Sequence, residues 1–197
     1  MPLSSPADAL IRRLAEALDD QRINYVVIGG QAVIQHGHVR TTTDVDLSLP
    51  LAPFDPSRVL AVARKCSLTI GPKDPKEHIR QTQVLPCHDA QSALGVDFSF
   101  VDSDYLRTAI DRADWFKVAG YPVRFLAIVD LLLQKVIANR PQDRIDVVEL
   151  LVRHEKADFD YIRSWLRQFE QVLEEPLVER FDELKREADV RPPPGLL

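Results

Sequence analysis

Cysteine is scarce in this sequence, with only Cys66 and Cys87 among 197 residues. Two such residues make neither a disulfide framework nor a zinc-ligand spacing, and they suit a reducing, cytosolic setting. Long apolar runs are absent too. The longest, Phe125 to Ile137, is interrupted by Asp130, Gln134 and Lys135, and it is too short to cross a bilayer core of about 30 Å. The N-terminus shows no basic stretch followed by an apolar core and a small-residue cleavage site, so no secretory leader is expected. Positive charge is not in excess either: 25 Lys and Arg stand against 30 Asp and Glu, a net charge of −5. That argues against coating nucleic acid by bulk electrostatics, while leaving room for a few local contacts. Repeats are absent, and the only low-complexity stretch is the Pro-rich 192–194. What remains is a soluble, cytoplasmic protein with no membrane partner. Its 45% apolar content is enough for a real core, in one domain or two small ones.

The patterning divides the chain. Pro6 to Leu18 has helical spacing behind a Ser5 cap. Tyr25 to Ile28 is a continuous β-branched run, a buried strand that stops at Gly29-Gly30; Gln31 to His36 then reads as a short helix closed by Gly37. Asp44 to Leu49 alternates polar and apolar residues, as a strand does, until Pro50, Pro53 and Pro56 end it. Ser57 to Lys65 is helical, Leu68 to Ile70 a short strand, and residues 71–75 a turn. Ile79 to Leu85 and Gly95 to Val101 read as strands around a loop containing Pro86 and Gly95. Asp102 to Ala113 is a helix, and Lys117-Val118 with Val123 to Phe125 a hairpin about Gly120. From Ala127 onward the period is helical throughout: 127–139, 143–153, 158–171 and 177–187. The expectation is an α+β protein: a small mixed sheet with flanking helices over 1–126, a helical bundle over 127–190, and a loose tail over 191–197.

Three Asp-x-Asp pairs occur: Asp44/Asp46, Asp102/Asp104 and Asp158/Asp160. The last two fall where helices begin, and capping accounts for them. Asp44 and Asp46 differ, because they lie inside an alternating strand. Residues two apart on a strand face the same way with Cα atoms about 6.5 Å apart. With Val45 and Leu47 turned to the core, both carboxylates share the opposite face, and a divalent cation is the common remedy for their repulsion. Just upstream, a buried strand ends in Gly29-Gly30 and opens a helix, presenting bare backbone N–H groups to a phosphate. Asp97, another polar position between apolar strand residues, is the candidate third carboxylate for a site that clamps a triphosphate and activates a hydroxyl.

Gly29-Gly30-Gln31-Ala32, His36, Arg40-Thr41-Thr42-Thr43-Asp44, Asp46 and Asp97 together resemble the nucleotidyltransferase superfamily of DNA polymerase beta-like fold, and within it the minimal prokaryotic branch that includes AbiEii-type toxins. Lys135, Arg140, Asp143 and Asp146 match in type and order a helical lysine and a later Arg/Asp cluster of that branch. The match covers residues 20–150. It implies Mg²⁺- or Mn²⁺-dependent transfer of a nucleoside monophosphate from an NTP, such as ATP, to a hydroxyl. Asp44, Asp46 and Asp97 would be the metal-holding and catalytic carboxylates. Gly29, Gly30, Arg40, Thr42 and Lys135 would bind the nucleotide, with Arg40 and Thr42 assigned by the motif alone and Arg140, Asp143 and Asp146 as accessory groups. Acceptors implied are tRNA, a protein or a small molecule, and a toxin–antitoxin role would add an antitoxin-like protein partner.

Other candidates carry less. Lys135 lies on an apolar helix face and needs either an anionic partner or a route to solvent, while Asp143 and Asp146 share a face and could pair with Arg140 and Arg144. His36-Gly37-His38 lacks further ligands at metal spacing, and Cys87-His88-Asp89 are adjacent rather than separated as catalytic pairs are. Trp115 and Trp165 read as core residues. Ile162, Leu166, Phe169, Val172 and Leu173 form an apolar face for core or partner packing. The competing functions are a catalytically silent nucleotide- or partner-binding regulator of the same fold, and a metal-dependent hydrolase, which would lack the glycine cradle.

Overall fold

Helices begin where the sequence supplies caps, and strands run where apolar residues alternate or persist. The computed structural model describes residues 5–50, 55–101 and 103–191; Asp102, Pro53 and residues 192–194 lie outside them. Helix α1 (Pro6–Asp20) opens on a capping box, in which Ser5 Oγ accepts from the Asp8 N–H and the Asp8 carboxylate accepts from the Ser5 N–H. Its buried face is Leu10, Ile11, Leu14 and Leu18. Each such leucine contributes about 1.5–3 kcal/mol through burial. The elements that follow are β1 (Val26–Ile28), α2 (Gly29–Gln35), β2 (Asp44–Pro50), α3 (Pro56–Lys65), β3 (Thr69–Ile70), α4 (Pro75–Thr82), β4 (Val84–Asp89), β5 (Leu94–Val101), α5 (Asp104–Asp111), β6 (Asp114–Val118) and β7 (Tyr121–Phe125). Four helices complete the chain: α6 (Ile128–Ala138), α7 (Pro141–Arg153), α8 (Phe159–Leu173) and α9 (Leu177–Asp189).

Among the described residues the strands form one mixed sheet in the order β3-β4-β5-β2-β1-β7-β6. The pairs β2–β5 and β1–β7 are parallel, and the others antiparallel. The buried face collects Val45, Leu47 and Leu49 from β2 with Val96, Phe98 and Phe100 from β5. The fold is thus the expected mixed α/β arrangement with a helical C-terminal part.

The chain divides into two compact units, one of Met1–Ala32 with Arg40–Leu126 and the other of Val33–Val39 with Ala127–Leu197. The first holds the whole sheet. The second packs Leu131, Leu132 and Val136 of α6 with Val147, Leu150 and Leu151 of α7, Ile162 and Leu166 of α8, and Phe181 and Leu184 of α9. Among the described residues no helix is long and apolar enough to cross a membrane.

Three local expectations are corrected. Ile79 to Leu85 is not a strand: residues 75–82 form α4, which Asp74 caps through the Glu77 N–H and Pro75 begins, and β4 starts only at Val84. A lone buried Ile79 left no helical period to see, whereas the Asp-Pro start was a helix signal. Pro86 accordingly lies within β4, and Gly95 within β5, rather than in a loop. Trp115 is not a core residue; it is 60% exposed on β6, with the Arg124 guanidinium of β7 5.1 Å from its ring centre.

Candidate active site

Two neighbouring parallel strands set the site. Asp46 of β2 stands in register with Asp97 of β5, and Asp44 with Gly95. Register partners on adjacent strands share a face at a spacing of about 4.8 Å. Asp44, Asp46 and Asp97 therefore lie on the face opposite the buried Val45, Leu47, Val96 and Phe98. That face is open at its Asp44 end: Asp44 is exposed, Asp46 and Asp97 are half-buried, and Ser48 is already covered.

Glycines bring backbone against these carboxylates. Gly29 ends β1 at φ +64, a left-handed conformation costly for any residue with a side chain. A Cβ there would collide with the Asp46 carboxylate, its Cγ only 2.9 Å away. Gly30 faces Thr42 Oγ1 at 2.5 Å and Arg40 Nη2 at 2.9 Å from the position a Cβ would take. Thus the two glycines, Arg40, Thr42 and Asp46 converge within the first unit. Gln31, buried at the start of α2, donates from Nε2 to the Asp44 carbonyl at 3.4 Å and ties the helix to the mouth of β2.

Electrostatics single out Asp97. Burial, and after it the Asp44 charge, pushes its carboxyl above the usual carboxylate range. Carboxylates crowded on one face are the natural setting for a hard divalent cation. As the side chains stand, no group of three or more His, Cys, Asp or Glu among the described residues gathers closely enough to hold an ion. The fit to a metal lies in donor type, shared face and glycine cradle.

The helical candidates meet one another in the second unit. Lys135 Nζ donates to Asp143 Oδ1 at 2.6 Å and lies 2.9 Å from Asp146 Oδ2, with all three side chains buried. Arg140 adds Nε to Asp143 Oδ2 at 2.7 Å. Burial raises the Asp143 carboxyl, but hydrogen bonds from Arg140 and Lys135 outweigh it and hold the group below its ordinary range. Lys135 thus finds its anionic partners within its own unit. Arg144 bonds Asn139 Oδ1 instead of a carboxylate.

No family model and no curated protein sequence matches the chain. Solved structures do. The solution structure of the antibiotic-resistance factor ANT(2'')-Ia superposes with a TM-score of 0.57 at 18% identity, covering 85% of this chain and 95% of that one. Its crystal structure in complex with adenylyl-2''-tobramycin gives 0.55 at 15% identity, covering 90% and 97%. An antigenic nucleotidyltransferase-like protein from Paracoccidioides brasiliensis gives 0.53 at 16% identity, covering 92% and 95%. The chain has a nucleotidyltransferase fold. These likenesses extend to the fold at large and do not single out the AbiEii-type branch.

Within the nucleotidyltransferase fold the remaining candidates have structural explanations. His154 donates from Nε2 to the His36 carbonyl at 2.9 Å, and the two rings meet edge to face. His38 lies 3.7 Å from Asp146 and 3.8 Å from Glu149. Burial pushes the Cys87 thiol up to about 12, which leaves no thiolate at neutral pH, and Asp89 is engaged by Arg13 and Ser92. Asp158 caps α8 through the Tyr161 N–H, as capping required. Sequence reasoning passed over Gly95, although a glycine inside an alternating strand signals a close approach.

Proposed function

We propose that this chain is a metal-dependent nucleotidyltransferase that moves a nucleoside monophosphate from an NTP to an acceptor hydroxyl. The observation that carries this is the register of Asp46 on Asp97, with Asp44 on the same face and Gly29 against the Asp46 carboxylate. Asp44 and Asp46 would hold Mg²⁺ or Mn²⁺, and Asp97 would complete the donor set. A bound divalent ion supplies charge neutralisation along the triphosphate and acidifies the attacking hydroxyl. Gly29 and Gly30 let the phosphates approach backbone N–H groups, and Arg40 and Thr42 border that approach. Asp97 takes the acceptor proton as the acceptor oxygen bonds to the α-phosphorus. The bond from that phosphorus to the bridging oxygen breaks, and pyrophosphate leaves. Lys135, Arg140, Asp143 and Asp146 are accessory candidates on the resemblance alone, since they pair with one another within the second unit.

The acceptor divides by source of support. Resemblance of Arg40 to Asp46 to the AbiEii-type branch favours a tRNA or protein hydroxyl, a toxin-like role and an antitoxin-like partner. The adenylylated aminoglycoside bound by ANT(2'')-Ia favours a small molecule. Either rests on analogy of fold. A second reading, a silent nucleotide- or partner-binding regulator, is favoured by the lack of a gathered three-ligand group among the described side chains.

Calorimetry with each NTP and Mg²⁺ tests the site. Asp46→Ala is expected to abolish Mg²⁺-dependent triphosphate binding with the fold intact by circular dichroism; unchanged binding would sink the proposal. Incubation with labelled NTPs, Mg²⁺ and cell extract then separates the two readings. Label transfer with pyrophosphate release marks an enzyme, and binding without release marks the regulator.

A further inference from the structure

Glycine inside a strand weakens it, since it packs nothing and loses more chain freedom on folding than any other residue. Gly95 sits in that position in β5. Its backbone does not call for glycine: the glycines with positive φ are Gly29, Gly37 and Gly120. Its N–H donates to the Thr43 carbonyl at 2.9 Å, an ordinary ladder bond that any residue but proline could make. What a side chain would meet first is Asp44, with Oδ1 2.6 Å from the position of a Cβ; the next nearest atoms, Asp44 Cγ at 3.6 Å and the Thr43 carbonyl at 3.8 Å, are at normal contact distance. The second carboxylate oxygen is also held, because Thr43 Oγ1 donates to Asp44 Oδ2 at 3.1 Å.

We propose that Gly95 is a positioning residue: the missing side chain is the notch in which Asp44 Oδ1 rests, and with Thr43 on Oδ2 it fixes the Asp44 carboxylate on the face it shares with Asp46 and Asp97. What that carboxylate does rests on the nucleotidyltransferase proposal; where it lies does not. Sequence spacing could not show this, because Gly95 and Asp44 meet only through the parallel pairing of β5 with β2.

The test combines Mn²⁺ binding by electron paramagnetic resonance, thermal melting, and crystal structures of wild type and Gly95→Ala. Gly95→Ala is expected to melt no lower than wild type while binding Mn²⁺ about tenfold more weakly, the lower end of what a lost supporting contact costs a metal site. In its crystal structure the Asp44 carboxylate is rotated out of the notch. Added to Asp44→Ala, the same change is expected to cost nothing further, since no carboxylate remains to displace. Wild-type Mn²⁺ affinity with an unmoved Asp44 would overturn the inference. Thr43→Val guards against a folding failure of the alanine variant: it is expected to weaken Mn²⁺ binding, and Thr43→Ser to restore it. If Asp44→Ala binds Mn²⁺ as wild type does, the metal-site proposal falls on its own, and the Asp44 rotamer in Gly95→Ala alone decides the notch.

Discussion

Asp97 carries a cost that the rest of the sheet offsets. Burial and the Asp44 charge raise its proton affinity in the folded state, relative to an unfolded value of about 3.9. A carboxyl whose folded pKa is raised binds protons more tightly in the native state, so stability falls as pH rises from about 3.9 through the folded value. At neutral pH the whole penalty is present. Asp97→Asn, which keeps the shape and removes the charge, is therefore expected to raise the urea midpoint at pH 7, with the gain vanishing below about pH 4. Equal midpoints at pH 7 would contradict the electrostatic account. The residue was legible in sequence because it interrupts an apolar alternation. The role of Gly95 was not, because a glycine in a strand signals a close approach without saying to what, and only the parallel pairing of β5 with β2 sets it against Asp44.

The helix pair α6 and α7 shows the opposite balance. Lys135 joins two buried carboxylates, and removing one member of such a group leaves uncompensated charge, at a cost of about 3–5 kcal/mol. Lys135→Met should lower stability by that order in chemical denaturation, and adding Asp146→Leu should recover part of it. Asp143 has the reverse sign to Asp97: its folded pKa is depressed, so its contribution is complete above about pH 4 and is lost as pH falls through the folded value. Sequence pattern located the C-terminal helices well, since the apolar period and the Asp158 cap agree with the observed elements, although α7 begins two residues before the expected 143, at Pro141. Element α4 escaped because it floats on one buried side chain, and Trp115 misled because an aromatic on an edge strand can rest on an arginine instead of entering a core.

Charge is a property of the whole molecule. At −5, no net attraction draws it to a polyanion. In fluorescence anisotropy at 0.15 M salt, duplex DNA is expected to bind no more tightly than about 10⁻⁶ M. Sub-micromolar binding that weakens steeply with salt would reveal a local basic track outweighing the total. With duplex binding as weak as expected, a nucleic-acid acceptor would be held by its end and by few contacts, as the composition already implied. The fold class, a mixed sheet followed by helices, was readable from the change of period along the chain. The assignment of Val33–Val39 to the helical unit was not, because short segments owe their place to packing partners distant in sequence.

The parallel pairing of β2 with β5 also has a bearing on time. Parallel neighbours cannot be joined by a tight turn, and here α3, β3, α4 and β4 all intervene between Asp46 and Asp97. Contacts of such long sequence separation form late, after loop-closure entropy has been overcome. Asp97 is thus kept apart from Asp44 and Asp46 while the nascent chain organises its local helices and hairpins. A ribosome-bound chain that has not yet emerged past Asp97 lacks the third carboxylate, so the acidic face is completed only when β5 docks and the rest of the sheet is ready to hold it.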